Sequence, residues 1–371
     1  MNLNSQRLQA IDVLRGLTLA LMIMVNMPGS PQTTYAPFLH ADWHGMTLTD
    51  LVFPTFMFVV GTALSFTLEK YQGMGEAAVL KKIFTRGALI FLCGFLLYWF
   101  PFVGWDAGGQ LFVKPLSGTR IPGVLQRIAL GYCAATLILH YWKEKGAIAF
   151  SVLALLGYWA VMYSFGDYTL TGNAQRKLDL LVLGEAHMYH GEGVAFDPEG
   201  ILSTLPSIVN VVAGYFAGKL VRRLGTGYET IARLMMAGAV CMLLALCWSS
   251  VFPLNKKLWT SSYALCTIGI DLCVLALLVY VIDMLGKRDW TYFFEVFGRN
   301  TLFIYLLSEV VAVIFDLIHV GPRNVSEWIY ASLFQSWAGN YNGTLLWAAV
   351  FMLGCWTVGY VMDRKKVYIK L

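Results

Sequence analysis

The chain has 371 residues, of which 58% are hydrophobic and only 13% are charged, and its mean hydropathy is +0.62. A soluble domain usually has about a quarter charged residues, so this composition excludes a soluble globular protein and predicts an all-α polytopic membrane protein. The net charge of +5 is modest, and membrane topology explains it better than nucleic-acid binding does.

Ten apolar runs predict ten transmembrane helices, because about 20 apolar residues are needed to cross the hydrocarbon core of a bilayer. No linker or repeat divides the chain, so residues 1–371 are expected to form a single transmembrane domain. Between the ninth and tenth runs, residues 325–338 mix Trp and Tyr with polar residues, which is typical of a helix lying in the membrane interface. The ten runs lie near residues 11–27, 48–69, 83–103, 121–142, 147–165, 201–222, 231–252, 259–285, 293–319 and 343–363.

The distribution of Lys and Arg predicts the orientation. Most of the 27 basic residues, from Arg7 to Lys370, fall in connections that lie on the same side of the membrane as the N-terminus. Cytoplasmic connections of membrane proteins are enriched in Lys and Arg. We therefore expect both termini in the cytoplasm, and the loop region at 166–200 on the outer face together with the loop that follows the first span.

The stretch "FLHADWHGMTLTDLVFP" (38–54) places His40, Asp42, His44 and Asp50 at the edge of an apolar span. Two histidines four residues apart could bind a metal on a helix, but Gly45 and the absence of an obvious third ligand argue against a metal site. Histidine suits proton transfer near neutral pH, and a neighbouring carboxylate can fix its tautomer. The pattern favours a proton-transfer site with Asp50 as the carboxylate.

Ionisable residues inside spans cost on the order of 2.5–3.5 kcal/mol each, so each of them is a functional candidate. Their number here predicts a hydrated interior cavity, although single members such as Asp12 and Arg15 could simply neutralise one another. These residues are Asp12, Arg15, Asp50, Arg127, Asp271, Glu295, Arg299, Glu309 and Asp316.

The sixth span has two further features. "AFDPEG" at 195–200 is typical of a helix start, with Asp197 as the N-cap and Pro198 at the first helical position. Gly214 and Gly218 form a small-xxx-small pair, which predicts close packing against another helix.

Seven segments together resemble the heparan-α-glucosaminide N-acetyltransferase family, and the chain looks like a bacterial member of it. The likeness runs from about residue 7 to the end, without the long N-terminal lumenal region of the lysosomal enzyme. The segments, in family order, are "AIDVLRGLTLALMIMVN", "HADWHGMTLTDLVFPTFMFVVG", "RIPGVLQRIALGY", "LDLLVLGEAHMYH", "FDPEGILSTLPSIVNVVAGYFAG", "NKKLWTSSY" and "GRNTLFIYLLSEV".

The resemblance implies that an acetyl group moves from cytosolic acetyl-CoA to the amino group of a terminal glucosamine, as in heparan sulfate, on the other side of the membrane. It implies a bacterial inner-membrane protein whose partners are lipid, acetyl-CoA and an amino-sugar or glycan acceptor. No metal or nucleic acid is expected, and a homodimer is left open.

The resemblance places the active-site histidine at His40, not His44, and also matches Asn26 and Asp50. We expect His40 to act as general base or acetyl carrier, Asp50 to stabilise its charged form, and Asn26 to donate to the oxyanion. The expected CoA-binding residues are Arg15, Arg86, Arg127, Arg299 and Asn300. The expected acceptor-binding residues are Trp43, His187, Asp197, Glu199 and Trp259.

Two other functions remain open from the sequence. A proton-coupled or sugar transporter would also bury acids and arginines, although no internal repeat is found. An acyltransferase with another acyl donor or an oxygen acceptor, such as an O-acyltransferase of cell-envelope glycans, is the other open function.

Overall fold

The computed structural model describes residues 8–71, 73–106 and 108–369, so Arg7 and Lys370 lie outside the described residues. Helices dominate these ranges, and two short antiparallel hairpins, β1–β2 and β3–β4, connect some of them. The elements are α1 (Gln9–Asn26), α2 (Leu48–Tyr71), α3 (Glu76–Trp99), β1 (Val103–Trp105), β2 (Leu111–Val113), α4 (Val124–Tyr141), α5 (Lys143–Phe165), α6 (Ala174–Val182), α7 (Thr204–Leu224), α8 (Tyr228–Ser249), α9 (Ser261–Leu278, extended by the π-helical segment Val279–Met284), α10 (Thr291–Arg299), α11 (Thr301–Leu317), β3 (His319–Val320), β4 (Arg323–Asn324), α12 (Val325–Ile329, extended by the π-helical segment Tyr330–Gln335), α13 (Ser336–Ala338) and α14 (Asn340–Arg364).

The prediction of an all-α polytopic membrane protein is confirmed, and a helix occupies each of the ten predicted positions. Among the described residues, seven helices are long and apolar enough to cross a membrane, or eight if the bent pair α10–α11 counts as one span. That number is smaller than the predicted ten because it leaves out α3 and α4.

Side-chain contacts show that the connections between helices meet at two opposite ends of the bundle. At one end, which we call the His40 end, the segments 27–47, 100–123, 166–203 and 250–260 meet. At the opposite end, Arg222 of α7 binds Glu69 of α2, and Lys219 binds Glu144 of α5. The helices α1, α2, α7 and α9 form the centre between these ends, whereas α5 and α8 are mostly exposed at the periphery.

The centre of the bundle depends on a close approach of α2 and α7. A Cβ atom on Gly214 would overlap the backbone carbonyl of Phe58, and one on Gly61 would overlap that of Val211. Gly218 lies against Thr62 and Ser65 in the same way. The close packing predicted from the glycine pair is therefore confirmed, with α2 as the partner helix.

The predicted ninth span is not continuous. The axes of α10 and α11 meet at 83°, and Asn300 lies at the break. Its side chain accepts from Ile369 N and donates to Val367 O, so the C-terminal segment satisfies it. The freed carbonyl of Gly298 accepts from Arg15 Nη1 of α1 at 3.2 Å. The backbone groups released by the bend thus find partners inside the protein, as a break at membrane depth requires.

The expectation that Asp197 caps the sixth predicted span, which is α7 in the structure, is wrong. The helix α7 begins at Thr204, and residues 198–202 form turns. Within 166–200, α6 has its own cap, because Asn173 Oδ1 accepts from Arg176 N. Asp179 of α6 accepts from Ile201 N at 2.9 Å, while its other oxygen is buried without a hydrogen-bond partner. Burial raises the pKa of Asp179 to about 7.

Gly214→Ala is expected to destabilise the protein by about 1–3 kcal/mol, because the added methyl group forces α7 away from the α2 backbone. Gly157→Ala is the matched control, since Gly157 of α5 is exposed and a Cβ atom there meets nothing within 4 Å. The measurement is the thermal unfolding temperature in detergent. Equal stability of the two variants would contradict this account of the packing.

The buried carboxyl group of Asp179 predicts a pH dependence of stability. Its pKa is raised in the folded protein, so the folded state binds more protons than the unfolded state between about pH 4 and about pH 7. Stability is therefore expected to fall as the pH rises through this window. Asp179→Asn, which cannot ionise, should flatten this decline in unfolding temperature measured from pH 5 to pH 8, and an unchanged slope would refute the assignment.

Candidate active site

His40 and Asp50 form a hydrogen-bonded pair at the His40 end of the bundle. The His40 Nδ1 atom lies 2.7 Å from Asp50 Oδ1. The Asp50 side chain is 1% exposed, whereas that of His40 is 46% exposed. A carboxylate at Nδ1 selects the tautomer that carries its proton there, so the lone pair of the imidazole lies at Nε2.

The local sequence explains how this pair is held. Asp50 lies in the first turn of α2, where backbone N–H groups lack helical partners. Its second oxygen accepts from Ala41 N and Thr47 N, both at 3.0 Å, and from the Thr47 hydroxyl at 3.1 Å. Thr47 Oγ1 also donates to Leu39 O. The loop bearing His40 is therefore fixed to the carboxylate at several points.

Lys256 is a third charged group at this pair. Its Nζ atom lies 3.2 Å from His40 Nδ1 and 3.3 Å from His40 Nε2. The two loops are joined by backbone, since Gly45 N donates to Leu254 O at 2.8 Å. Burial lowers the pKa of Lys256 below its usual range.

A second charged cluster lies beside the pair. Arg120 makes a bidentate ion pair with Asp197, at 2.8 and 2.6 Å, and binds Glu199 at 2.6 Å. Although burial opposes it, the cations Arg120, Arg127 and Lys256 together keep the pKa of Glu199 below its ordinary value. Glu199 is therefore a charged carboxylate within electrostatic range of Lys256.

The expected acceptor-binding residues separate into two groups. Asp197 is fully buried under Arg120, and Trp259 is 1% exposed, with its Nε1–H bonded to Asn210. Both side chains therefore stabilise the interior of the protein. His187 binds the Thr119 carbonyl at 2.8 Å, and the Trp43 Nε1–H donates to Tyr168 O. His187, Trp43 and Glu199 lie in the segments that meet at the His40 end.

Asn26 ends α1, and its amide donates to Glu309 Oε1 of α11 at 2.9 Å. The Asn26 side chain is exposed. The hydrogen-bond partner of this amide is thus a carboxylate, and the expected role as an oxyanion donor would require the amide to turn toward the substrate.

A cavity of about 720 Å³ begins near the opposite end of the bundle. It follows α2 from Thr67 to Phe56, about 16 Å at 1.5 Å per residue, and Phe56 is six residues, or about 9 Å, from Asp50. Three of the expected CoA-binding residues line it: Arg15, Arg86 and Arg299. The structure therefore brings together arginines from α1, α3 and α10.

These three arginines differ in their partners. Arg299 is bound by Glu295 and Asp363, both at 2.7 Å. Arg15 contacts Asp12 at 3.4 Å as well as Gly298 O. The Arg86 guanidinium lies 4.9 Å from the ring centroid of Tyr132, and its Nε–H is buried without a hydrogen-bond partner among the described residues. Arg86 is therefore the member of the three that is best placed to bind an anion.

Two other expected CoA-binding residues lie elsewhere. Arg127 is fully buried beside the ring of Trp259, and its Nη2 atom donates to Gly200 O and Ser203 Oγ. It does not line the cavity of Arg86. Asn300 is occupied by the C-terminal backbone at the helix break.

Sequence reasoning did not identify Arg120 or Lys256 as site residues. Both lie in connections between helices, where a basic residue is ordinarily solvated and does not by itself indicate a functional site. Lys256 stands within the quoted segment "NKKLWTSSY", and two adjacent lysines in so apolar a chain were the available signal.

Two known proteins are similar to this chain along nearly its whole length. The chain is 29% identical to heparan-alpha-glucosaminide N-acetyltransferase from Mus musculus over an alignment that covers 99% of this chain and 61% of that protein. It is 28% identical to the protein of the same name from Homo sapiens, with coverage of 98% and 60%. The chain thus spans about three fifths of the length of these relatives.

Residues 7–246, which contain His40, Asp50 and Arg86, match the family described as "Heparan-alpha-glucosaminide N-acetyltransferase, catalytic". That region covers well over half of the chain and includes α1 to α7. The chain therefore belongs to the heparan-alpha-glucosaminide N-acetyltransferase family.

Proposed function

We propose that this protein is a transmembrane acetyltransferase that moves an acetyl group from acetyl-CoA to the amino group of a terminal glucosamine or related sugar. The observation that carries the proposal is the relation between two sites: the His40–Asp50 pair lies at one end of α2, and an arginine-lined cavity follows the same helix from the other end. Such an arrangement lets a donor enter from one side of a membrane and meet an acceptor on the other.

In this proposal the cavity holds the donor. The CoA phosphates bind near Arg15, Arg86 and Arg299, and the pantetheine arm extends along α2 toward Phe56. Apolar residues such as Val59, Val60 and Ile128 line this part of the cavity and suit an alkyl chain. The thioester then lies near the His40–Asp50 pair.

The proposed reaction is a direct transfer. The amine nitrogen of the sugar forms a bond with the thioester carbonyl carbon, and the C–S bond breaks to release the CoA thiolate. His40 Nε2 accepts the proton that the nitrogen loses and returns it to the thiolate. Asp50 stabilises the imidazolium that exists between these steps, and its buried, fully bonded position needs little reorganisation.

A two-step route uses the same groups. The His40 Nε2 atom would attack the thioester carbonyl carbon, and the C–S bond would break to release the CoA thiolate. The amine nitrogen would then attack the acetyl carbon, the bond between that carbon and Nε2 would break, and the imidazole would take up the proton that the amine loses. Incubation with labelled acetyl-CoA in the absence of acceptor distinguishes the routes, because only the second route leaves label on the peptide that contains His40.

The charged groups at the His40 end suit a polar, cationic acceptor. Glu199 provides a carboxylate for an ammonium or hydroxyl group of the sugar, and Trp43 provides an aromatic surface for its ring. An O-acyltransferase would share the donor cavity, and an acceptor panel with amino and N-blocked glucosamine ends separates the two reactions.

The positive-inside distribution supports an orientation with both termini in the cytoplasm of a bacterial inner membrane. Acetyl-CoA is a cytosolic metabolite, so the mouth of the cavity near Arg15 would face its source. The His40 end would then face the periplasm, where the acceptor glycan is found.

His40→Ala is expected to lower kcat/KM for acetyl transfer to glucosamine-ended oligosaccharides about 10²–10⁴-fold, because the proton acceptor is lost. The measurement uses labelled acetyl-CoA and protein in lipid nanodiscs. His44→Gln is the control and should retain transfer, since His44 is near Asn255, 3.4 Å away, and not in contact with Asp50. Full activity of His40→Ala would contradict both routes.

Arg86→Gln is expected to raise the KM for acetyl-CoA about 10-fold or more, because a charged hydrogen bond to phosphate contributes about 1.5–3 kcal/mol. It should also reduce the thermal stabilisation that acetyl-CoA gives to the purified protein. Arg233→Gln is the control, because Arg233 is exposed on α8 and paired with Glu229. Equal KM values for the two variants would remove Arg86 from the donor site.

A further inference from the structure

We propose that a second cavity, on another face of α2, binds the phosphate headgroup of an anionic membrane phospholipid. This cavity has a volume of about 430 Å³ and lies at the end of the bundle opposite His40. The C-terminal parts of α2, α4 and α7 and the start of α5 contribute to its wall. The inference goes beyond the proposed acetyl transfer and does not depend on it.

The charges on the wall favour an anion with a single negative charge. Lys143, Lys219 and Arg222 contribute three positive charges, whereas Glu69 and Glu144 contribute two negative charges. Lys219 binds Glu144, and Arg222 binds Glu69. The wall therefore has an excess of one positive charge, which one phosphodiester group would neutralise. Basic pockets between transmembrane helices on the cytoplasmic side bind anionic lipid headgroups in this way.

The two lysines have hydrogen-bond donors that their protein partners do not use. An ammonium group has three N–H donors. Among the described residues, Lys219 donates to Glu144, and Lys143 donates to the His140 carbonyl. Each lysine therefore retains donors for a phosphate oxygen, and a charged donor binds such an oxygen more strongly than a neutral one does.

The backbone at Lys143 places an ammonium group at the level of lipid headgroups. Its φ angle is +58°, in the left-handed region that glycine adopts freely and residues with a Cβ atom disfavour. The preceding residue at this junction of α4 and α5, Trp142, is 60% exposed. Exposed tryptophan is typical of the membrane–water interface. A lysine thus occupies a strained position where phospholipid headgroups lie.

The apolar part of the wall favours a lipid over a soluble phosphate ester. Leu68, Leu139 and Tyr215 also line the cavity, and they suit the glycerol group and the upper part of the acyl chains. The helix α5 beside them is mostly exposed at the periphery of the bundle. Lipid therefore reaches this side of the protein directly.

This cavity is separate from the one that contains Arg86. Among the described residues, no side chain lines both cavities. Tyr71 lines the second cavity and Tyr132 lines the first, and their hydroxyl oxygens are 3.5 Å apart. The two tyrosines form part of the wall between the cavities, so a lipid in one need not displace a molecule in the other.

Native mass spectrometry of the detergent-solubilised protein, titrated with phosphatidylglycerol, tests the inference. One saturable adduct is expected, and phosphatidylcholine should bind more weakly. Lys143→Met and Lys219→Gln should each weaken phosphatidylglycerol binding about five-fold, because each removes one charge from the headgroup site. Lys145→Met is the matched control, since it removes the same charge from α5 but Lys145 does not line the cavity. Equal affinities of Lys143→Met and Lys145→Met would overturn the inference.

Lys143→Gly separates loss of binding from loss of folding. Glycine fits the left-handed backbone, so the unfolding temperature in phosphatidylcholine nanodiscs should not fall. Adding phosphatidylglycerol to the nanodiscs should raise the unfolding temperature of the unmodified protein more than that of Lys143→Gly. An equal rise for both proteins would contradict a role for Lys143 in lipid binding.

Two soluble competitors distinguish other ligands. Glycerophosphoglycerol is the same headgroup without acyl chains, and neither it nor acetyl-CoA should displace phosphatidylglycerol at equal concentration. Displacement by glycerophosphoglycerol would indicate a site for soluble phosphate esters, and displacement by acetyl-CoA would make this cavity part of the donor site. Either result would overturn the inference. Because these experiments measure binding and not acetyl transfer, they remain decisive if the proposed function fails.

Discussion

The buried carboxylate of Asp50 is the constraint on which the active site depends. A carboxylate with 1% exposure at the start of an apolar helix is costly unless each oxygen is bonded, and here one oxygen binds His40 and the other binds Ala41 and Thr47. The same bonds that satisfy the charge cap α2 and fix the loop of His40. The same interactions therefore position His40 and begin α2, so a change in one also changes the other.

The helix α2 links this end to the arginine-lined cavity. Its glycine-mediated contact with α7 holds it at the centre of the bundle, and its other face lines the cavity from Phe56 to Thr67. The break at Asn300 borders the cavity, which is lined by Arg299 and by Tyr368 of the C-terminal segment. Broken helices also occur in transporters. Here Arg15 binds the Gly298 carbonyl and the backbone of Val367 and Ile369 binds the Asn300 side chain, so the break forms part of a cavity wall.

Sequence reasoning succeeded where a residue's neighbours are close in the chain and failed where they come from distant segments. Asp50 is ten residues from His40, and their pairing was predicted correctly. Asp197 looked like a helix cap because Pro198 follows it, yet a bidentate arginine 77 residues away binds it instead. Trp259 looked like a ligand-binding aromatic but is packed in the core, and Arg127 is paired with its ring instead of lining the cavity that contains Arg86.

Composition and local pattern alone determined that this is a helical membrane protein, where its helices lie, and that Asp50 is the carboxylate partner of a histidine; the family resemblance selected His40 as that histidine. Hydrophobic run length and helix capping are local properties, so a single sequence records them. Only the tertiary structure decided that Arg15, Arg86 and Arg299 share a cavity, that the ninth span bends by 83°, and that Lys256 touches the imidazole. Those facts depend on which helices are neighbours, and that is set by packing between segments far apart in the chain.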